Sequence, residues 1–523
     1  MGKPWGFMRG KAAARGASGA APADDRQGVA EYLLQHGADG ATALSAGTAQ
    51  RTYAQLRDDV ATLSRALIAA EWEPRTPVAI MAPNGAFWAA AYLAIMHAGH
   101  VAVPLPTTLP VDEALARVRW VGAAGMFLGG RAIESVGPAA SADVDIFTET
   151  TRDSARVPWV DRPRPRIDLD DDAAYLFTSG TTGTPRAVRL THRNIIANTE
   201  SILGYLHVSH SDRALVVLPY TYVFGASVLH THLRVGATLV EQTTTAYPET
   251  TVNLLESEKC TVFAAVPSIF HGLLRNSSFT RRRLPHLRII QQAGGRLPPA
   301  LLRELLAADH NADVFVMYGQ TEATARLSAL DPALLLSKPG SIGRGIPGVR
   351  LRVIDEEGQR VAPGEIGEIW ARGENISPGY LADPEGSAAK MPDGELHTGD
   401  LATIDDEGFI YVVDRAEDFI KSWGYRVASQ EVEAAAMELP DLVAVAAVGL
   451  PDEAAGERVE LLAVARRGSD VTAEQVIARC RELLPKYAVP ARVRFADQLP
   501  LNANGKVVKR DVRDLLMRTG TVG

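Results

Sequence analysis

The run Thr178, Ser179, Gly180, Thr181, Thr182, Gly183, Thr184, Pro185, Arg186 consists almost entirely of hydroxyl side chains and glycine. Glycine lets a backbone N–H approach a ligand closely, and a hydroxyl both donates and accepts. Such a loop can wrap a polyphosphate, with Arg186 able to fork onto two phosphate oxygens. It is not a P-loop of the form G-x-x-x-x-G-K-S/T, because no Lys-Ser/Thr pair follows the second glycine and Pro185 interrupts the expected helix start. Kinase and P-loop ATPase readings lose their main support. Taken alone, the same stretch also reads as an ordinary Ser/Thr/Gly surface turn.

Further chemistry-bearing groups lie downstream: Tyr318-Gly319-Gln320-Thr321-Glu322, Thr398-Gly399-Asp400, Asp414-Arg415 and Asn504-Gly505-Lys506. Singly, each has a plain structural reading. Tyr318 is a core aromatic, Glu322 a charge at a helix N-terminus, Asp400 a β-turn acid and Lys506 a solvated lysine. In this order, and together with the loop at 178–186, they resemble the motif set of the adenylate-forming superfamily of acyl-CoA synthetases, peptide-synthetase adenylation domains and luciferases. The resemblance covers about residues 30–515.

That resemblance implies an enzyme, an AMP-forming acid–thiol ligase. A carboxylate becomes a good acyl electrophile once one of its oxygens is bonded to the α-phosphorus of ATP and pyrophosphate leaves. The implied roles follow residue by residue. Residues 178–186 hold the β- and γ-phosphates, and Glu322 ligates magnesium, a hard cation that prefers carboxylate and phosphate oxygens. Asp400 accepts hydrogen bonds from the ribose, and Arg415 reaches the ribose or phosphates. Tyr318, with Gly319 and Thr321 beside it, offers a flat face to adenine, and Ala293-Gly294-Gly295 a surface poor in side chains opposite. Lys506 bridges the acid and the α-phosphate, and ranks first among the catalytic residues. Asp414-Arg415-Ala416-Glu417-Asp418 is similar to the family hinge, with Glu417 at the pivot, and Lys421 and Gly424 match the strand that lines the thiol-transfer cleft.

The sequence departs from the family pattern at several points. Arg186-Ala187 stands where Lys-Gly is more usual, and Tyr222 replaces a histidine common in acyl- and aryl-CoA synthetases. Gly225 aligns with the aspartate that holds the ammonium of an amino acid, so an acid without an α-amino group is expected. Glu417 replaces Asp or Lys, and Ser429-Gln430 stands where a proline is common. Tyr222, Phe224, Gln292 and Ala293 are expected to line the acid pocket, which suits fatty, aryl or terpenoid-like acids equally.

The elements that must position these groups are those of a layered α/β protein. Short apolar runs such as 78–81, 214–218, 260–266 and 314–317 alternate with longer Ala- and Leu-rich helical patterns. From 344 to 414, turn signals at short intervals predict antiparallel strands, one at 367–370. Beyond 414 a strand pair (443–449 and 460–466) and helices near 473–484 and 508–517 predict a small α+β domain. The expected organisation is a disordered tail at 1–25, a large multilayer α/β domain at 26–413, a hinge at 414–418 and a mobile α+β domain at 419–523. The charged, proline-containing segment 158–172 reads as a surface connection.

Composition agrees with a globular enzyme: 523 residues, 46% hydrophobic and 22% charged. A net charge of −8 without a long basic stretch makes nucleic acid an unexpected partner. The two cysteines, Cys260 and Cys480, are too few for a disulfide framework and predict buried free thiols in a reducing cytoplasm. The apolar run 86–96 is well short of the about 20 residues that span a bilayer, and predicts a buried helix. ATP, magnesium, a small-molecule carboxylic acid and coenzyme A are the expected ligands, with a carrier-protein thiol as the alternative acceptor. Two rival readings stay open: an enzyme that makes only the adenylate for a partner to complete, and an inactive nucleotide-binding scaffold.

Overall fold

The computed structural model describes residues 27–140, 143–152, 164–178, 186–242, 244–308, 310–501 and 507–518. The expected tail, most of the loop at 178–186, and Lys506 lie outside them.

Two large sheets organise the first part of the chain. Among the described residues, one has nine strands, in the order Arg344–Gly345, Ser328–Leu330, Asp313–Tyr318, Ile289–Gln292, Val262–Ala265, Arg213–Val216, Thr238–Glu241, Thr42–Ala46, Ala49–Thr52. Its centre is parallel and its edges are antiparallel. The other has seven, in the order Gly379–Tyr380, Arg186–Thr191, Asp172–Thr178, Val101–Pro104, Pro77–Met81, Gly125–Leu128, Asp145–Phe147.

Side chains alternate across a strand, so a parallel sheet covered on both faces must supply two cores. Val262 and Ala264 enter the core between the sheets, whereas Phe263 and Ala265 point into a second core against the helices Pro248–Ser257, Pro267–Asn276 and Pro299–Leu306. Val78 and Ile80 face the same central core, while Ala79 and Met81 pack toward the helix Val111–Trp120 on the outer side. The central core also takes in the helices Val29–Leu34, Tyr53–Ala69, Ala86–His97, His192–Leu206 and Val223–Val235. Ala86–His97 is buried continuously from Phe87 to Met96, which explains an apolar run with no polar face. The result is the expected α/β layering.

A third sheet, Arg350–Ile354, Gly367–Arg372, Leu396–Ile404 and Ile410–Arg415, is antiparallel throughout, as the turn spacing predicts. After Arg415 the chain enters a separate sheet built on the long pair Leu442–Asp452 and Gly456–Ala465, covered by Ser429–Ala436, Ala473–Leu483 and Lys509–Arg518. Cys260 and Cys480 are buried and unpaired. Burial pushes their thiols up, to about 12 and about 11, and leaves them unreactive. The expected connection at 158–172 is corrected at its end: Ile167 is buried, and Asp172 already begins a strand.

One buried acid couples this core to pH. Glu241 ends its strand beneath Tyr220, whose hydroxyl donates to it at 3.0 Å. Burial pushes its carboxyl from 4.5 to about 7, with the Tyr220 bond only partly opposing. Between those values the folded chain holds a proton that the unfolded chain releases, so stability falls as pH rises through the window and levels out above it. Glu241→Gln keeps an acceptor for Tyr220 and is expected to remove this slope. The variant should be more stable than the parent by up to about 3 kcal/mol near pH 8 and little different near pH 4.5, as read from urea unfolding at several pH values.

Candidate active site

The loop at 178–186 joins two antiparallel strands, with Thr178 and Arg186 directly paired at its base. Residues 179–185, including Ser179, Gly180, Thr181, Thr182 and Gly183, lie outside the described residues. A strand rather than a helix follows the loop, which separates it from a P-loop on structural grounds as well. Arg186 lies over the Tyr380 ring, 5.1 Å from its centroid, and its Nε is 3.4 Å from Asp383. The Tyr380 hydroxyl donates to Glu322 Oε1 at 2.9 Å. One chain of contacts therefore joins the foot of the loop to the expected magnesium ligand. Glu322 sits on the short turn Thr321–Ala323, just after the strand Asp313–Tyr318 ends.

At that strand end Tyr318 donates its hydroxyl to Asp400 Oδ2 at 2.5 Å. Asp400 pairs with Arg415 across the third sheet, and Arg415 Nε is 3.4 Å from Asp400 Oδ1. Burial, then the Asp400 charge, raise the Tyr318 phenol well above its ordinary value, so it stays a hydrogen-bond donor. Burial works against the Arg415 charge, but Asp400 and Glu417 outweigh it. An ionised carboxylate offers about four lone-pair positions, so Asp400 keeps capacity for ligand hydroxyls beside these two partners. Gly319 is required sterically, since a Cβ there would lie 1.9 Å from the Ala325 carbonyl oxygen.

On the other side, Tyr222 precedes the helix Val223–Val235 and reaches toward the Ala293-Gly294-Gly295 turn. A Cβ on Gly294 would lie 3.0 Å from the Tyr222 hydroxyl oxygen, and its φ of +85° favours glycine. Gln292 is buried and spends its amide on the Gly295 carbonyl at 2.7 Å, bracing that turn from beneath. Ala293 and Phe224 are buried as well. At Gly225 the structure changes the reason for the residue: a Cβ would lie 2.1 Å from the Pro219 carbonyl oxygen. Backbone, rather than an open ligand position, takes up the missing side chain.

The hinge region is held by one buried carboxylate. Asp414 Oδ2 accepts from the Ser429 N–H at 2.6 Å and the Ser429 hydroxyl at 2.5 Å, and Oδ1 accepts from the Arg415 N–H at 2.8 Å. A proline at 429 would have no N–H to give, which accounts for the departure there. Lys509 bonds the Ser429 hydroxyl and sits 3.1 Å from Glu433. Glu417 is exposed, 3.7 Å from Arg415. Lys421 is exposed on the hairpin Ile420–Ser422 and Tyr425–Val427, its N–H bonded to Glu457 at 2.7 Å.

The structure thus gathers Arg186, Glu322, Tyr318, Asp400 and Arg415 into linked contacts, and Tyr222 beside Gly294. Sequence reasoning missed Tyr380 and Lys390. Lys390 closes the helix Pro384–Lys390 and donates to the Thr398 carbonyl at 2.8 Å. Burial lowers its pKa, while Glu322, Asp400 and Glu368 act the other way, which places a cation among the acids of the site. No local pattern marks either residue, because both matter only through partners distant in sequence. Among the described residues no group of three or more His, Cys, Asp or Glu could hold a metal by itself. Glu322 presents a single carboxylate, a donor type that a hard cation such as magnesium would accept.

Comparison with known proteins identifies the family. Residues 34–381 match the AMP-binding enzyme family, and residues 431–506 its C-terminal domain. The chain belongs to the AMP-binding enzymes, the adenylate-forming superfamily. It is 31% identical over 503 residues to a methyl-dioxo-octahydroindenyl-propanoyl:CoA ligase of Rhodococcus jostii, covering 90% of this chain and 95% of the relative. It is 32% identical over 475 residues to a feruloyl-CoA synthase of Amycolatopsis, with the same coverages of 90% and 95%. Among solved structures, the o-succinylbenzoate CoA synthetase of Bacillus subtilis in complex with its acyl-adenylate superposes with a TM-score of 0.83 at 27% identity, over 93% of this chain and 98% of that one.

The Tyr318–Asp400–Arg415 linkage makes a graded test. Tyr318→Phe removes one hydrogen bond to a charged acceptor and should raise KM for ATP severalfold. Asp400→Asn disrupts both contacts and should raise it more than tenfold, corresponding to about 1.5–3 kcal/mol. The ATP dependence of pyrophosphate release measures both.

Proposed function

We infer that this chain is an AMP-forming acid–CoA ligase. ATP and a carboxylic acid form an acyl-adenylate and pyrophosphate, and the coenzyme A thiol then displaces AMP to give the thioester. The observation that supports this reading is two sets of contacts, Arg186–Tyr380–Glu322 and Tyr318–Asp400–Arg415, with the Lys390 cation near both Glu322 and Asp400.

Each residue contributes binding, orientation or charge. Hydroxyls and N–H groups of residues 178–186 hold the outer phosphates, and Arg186 supplies charge at the loop's foot. Asp400 accepts from the ribose hydroxyls, and Arg415, braced by Asp400, faces the sugar and phosphates. Magnesium, when bound at Glu322, neutralises phosphate charge. Lys506 places its ammonium between the acid's carboxylate and the α-phosphate, where negative charge builds as the new P–O bond forms. Tyr222, Phe224, Gln292 and Ala293 shape the acid's surroundings. The acid is one without an α-amino group, since Gly225 supplies no carboxylate where the resemblance sets the aspartate that holds an ammonium.

After adenylation, rotation about the hinge at 414–418, with Glu417 at the pivot, brings the hairpin carrying Lys421 to the cleft for thiol transfer. No helix among the described residues is long and apolar enough to cross a membrane. ATP, coenzyme A and two unpaired buried cysteines fit a cytoplasmic location.

Exchange of labelled pyrophosphate into ATP, run with fatty, aryl and polycyclic acids, tests the first half. Lys506→Ala should lower acid-dependent exchange at least a hundredfold, about 3 kcal/mol, with ATP affinity changed little. Acyl-CoA formation on adding coenzyme A tests the second half. Exchange without thioester would leave an adenylating enzyme, and absence of both with every acid would overturn the ligase reading.

A further inference from the structure

Among the described residues, two buried carboxylates are each answered by a guanidinium. Asp212 meets Arg288, whose Nε lies 2.7 Å away, and Glu460 meets Arg458 at 2.8 Å. Arg326 is different. It lies just after the Tyr318–Glu322 segment and is only 2% exposed. Its backbone is fixed by Asn198, which accepts from the Arg326 N–H at 3.3 Å and donates to its carbonyl at 3.0 Å. The guanidinium carbon stands 4.0 Å from the centroid of the Phe224 ring. Nε points to the Met317 sulfur at 3.4 Å, a weak acceptor, and one terminal nitrogen is buried without a hydrogen-bond partner.

The neighbouring groups do not supply a counter-ion. Burial disfavours the Arg326 charge, and the groups that favour it are the Tyr205 phenol, which also hydrogen-bonds the guanidinium, and the Tyr222 phenol, rather than a carboxylate. A guanidinium remains charged in proteins, and burying one unpaired is costly. The Phe224 face offsets part of that cost, and a sulfur atom little. The terminal nitrogen left without a partner is what a further oxygen acceptor would satisfy. The location says where it would come from: Phe224 is beneath the guanidinium, and Tyr222 feels both Arg326 and Arg415. Arg326 thus stands on the Tyr222 and Phe224 side of the cleft, where the ligase reading puts the acid.

Resting on that reading, we propose that Arg326 is a specificity-determining residue that receives a second oxygen function of the acid, remote from the carboxylate being activated. The substrate class is an oxo acid or a dicarboxylic acid, and a plain hydrocarbon acid is a poor substrate. The guanidinium fork pairs with the distal oxygen while Phe224 packs against the intervening carbons.

The test compares acids matched in length: hexanoate, 5-oxohexanoate and adipate, and 3-phenylpropanoate against its para-acetyl and para-carboxyl derivatives. Pyrophosphate release gives kcat/KM for each with the parent protein and with Arg326→Met, which keeps an apolar stem. The oxo or dicarboxylic member is expected to be preferred at least about tenfold in the parent, and the preference to vanish or invert in the variant through the KM of the acid, with KM for ATP unchanged. The oxo and carboxyl arms distinguish the two sources of the acceptor. Preference of the parent for the hydrocarbon member in both series overturns the proposal without need of a variant that folds. An equal loss on all acids in Arg326→Met overturns it too, and assigns Arg326 a packing role. Arg326→Lys, which keeps the charge but not the fork, should keep the order of preference at reduced strength. Failure of every acid to support pyrophosphate release would instead count against the ligase reading.

Discussion

The carboxylate of Asp400 is bonded by a phenol from the strand Asp313–Tyr318, the last of the parallel strands in its sheet, and faced by a guanidinium from its own antiparallel neighbour, Arg415. Two sheets of different architecture meet at this group. Charge-assisted hydrogen bonds are short and directional, and in a buried setting they fix orientation as well as supply energy. Tyr318 is thereby held where the strand ends, Glu322 is placed one turn further on, and Arg415 is held at the last residue before the chain leaves for its C-terminal sheet. Under the proposed function, a nucleotide would meet groups already braced against each other, which would leave little ordering cost to binding.

Layering was legible in the sequence because periodicity reports burial. Strands that are apolar on both faces can only be covered on both, and the helix Ala86–His97 carries no polar face for the same reason. The motif residues were legible through their order, and the structure brings Glu322, Tyr318, Asp400 and Arg415 into linked contacts. What stayed illegible were contacts made by residues with ordinary surroundings in sequence. Tyr380 matters because its short strand pairs beside the loop's exit, Lys390 because its helix ends over Thr398, and Arg326 because Asn198 and Phe224 come to it from helices far earlier in the chain. At Gly225 the close approach of the Pro219 backbone, which no local pattern in the sequence shows, adds a steric reason for glycine.

The departures from the family pattern also sort by physics. Arg186 keeps a cation at the loop's foot, and its flat group lies over Tyr380, whose hydroxyl reaches Glu322. A compact ammonium would make a weaker match to that ring. Ser429 gives up the rigidity of a proline and gains two donors to Asp414.

That last exchange has a bearing on modular engineering. Apart from the neighbouring Arg415 N–H, the partners of Asp414 come from the far side of the hinge, and Lys509 reinforces them from the final helix. A graft that joined this large domain to a foreign C-terminal module would seat a fully desolvated anion against whatever that module presents at 429 and 430. Compatibility between parents at those two places, more than similarity over the rest of the module, would decide which hybrids assemble.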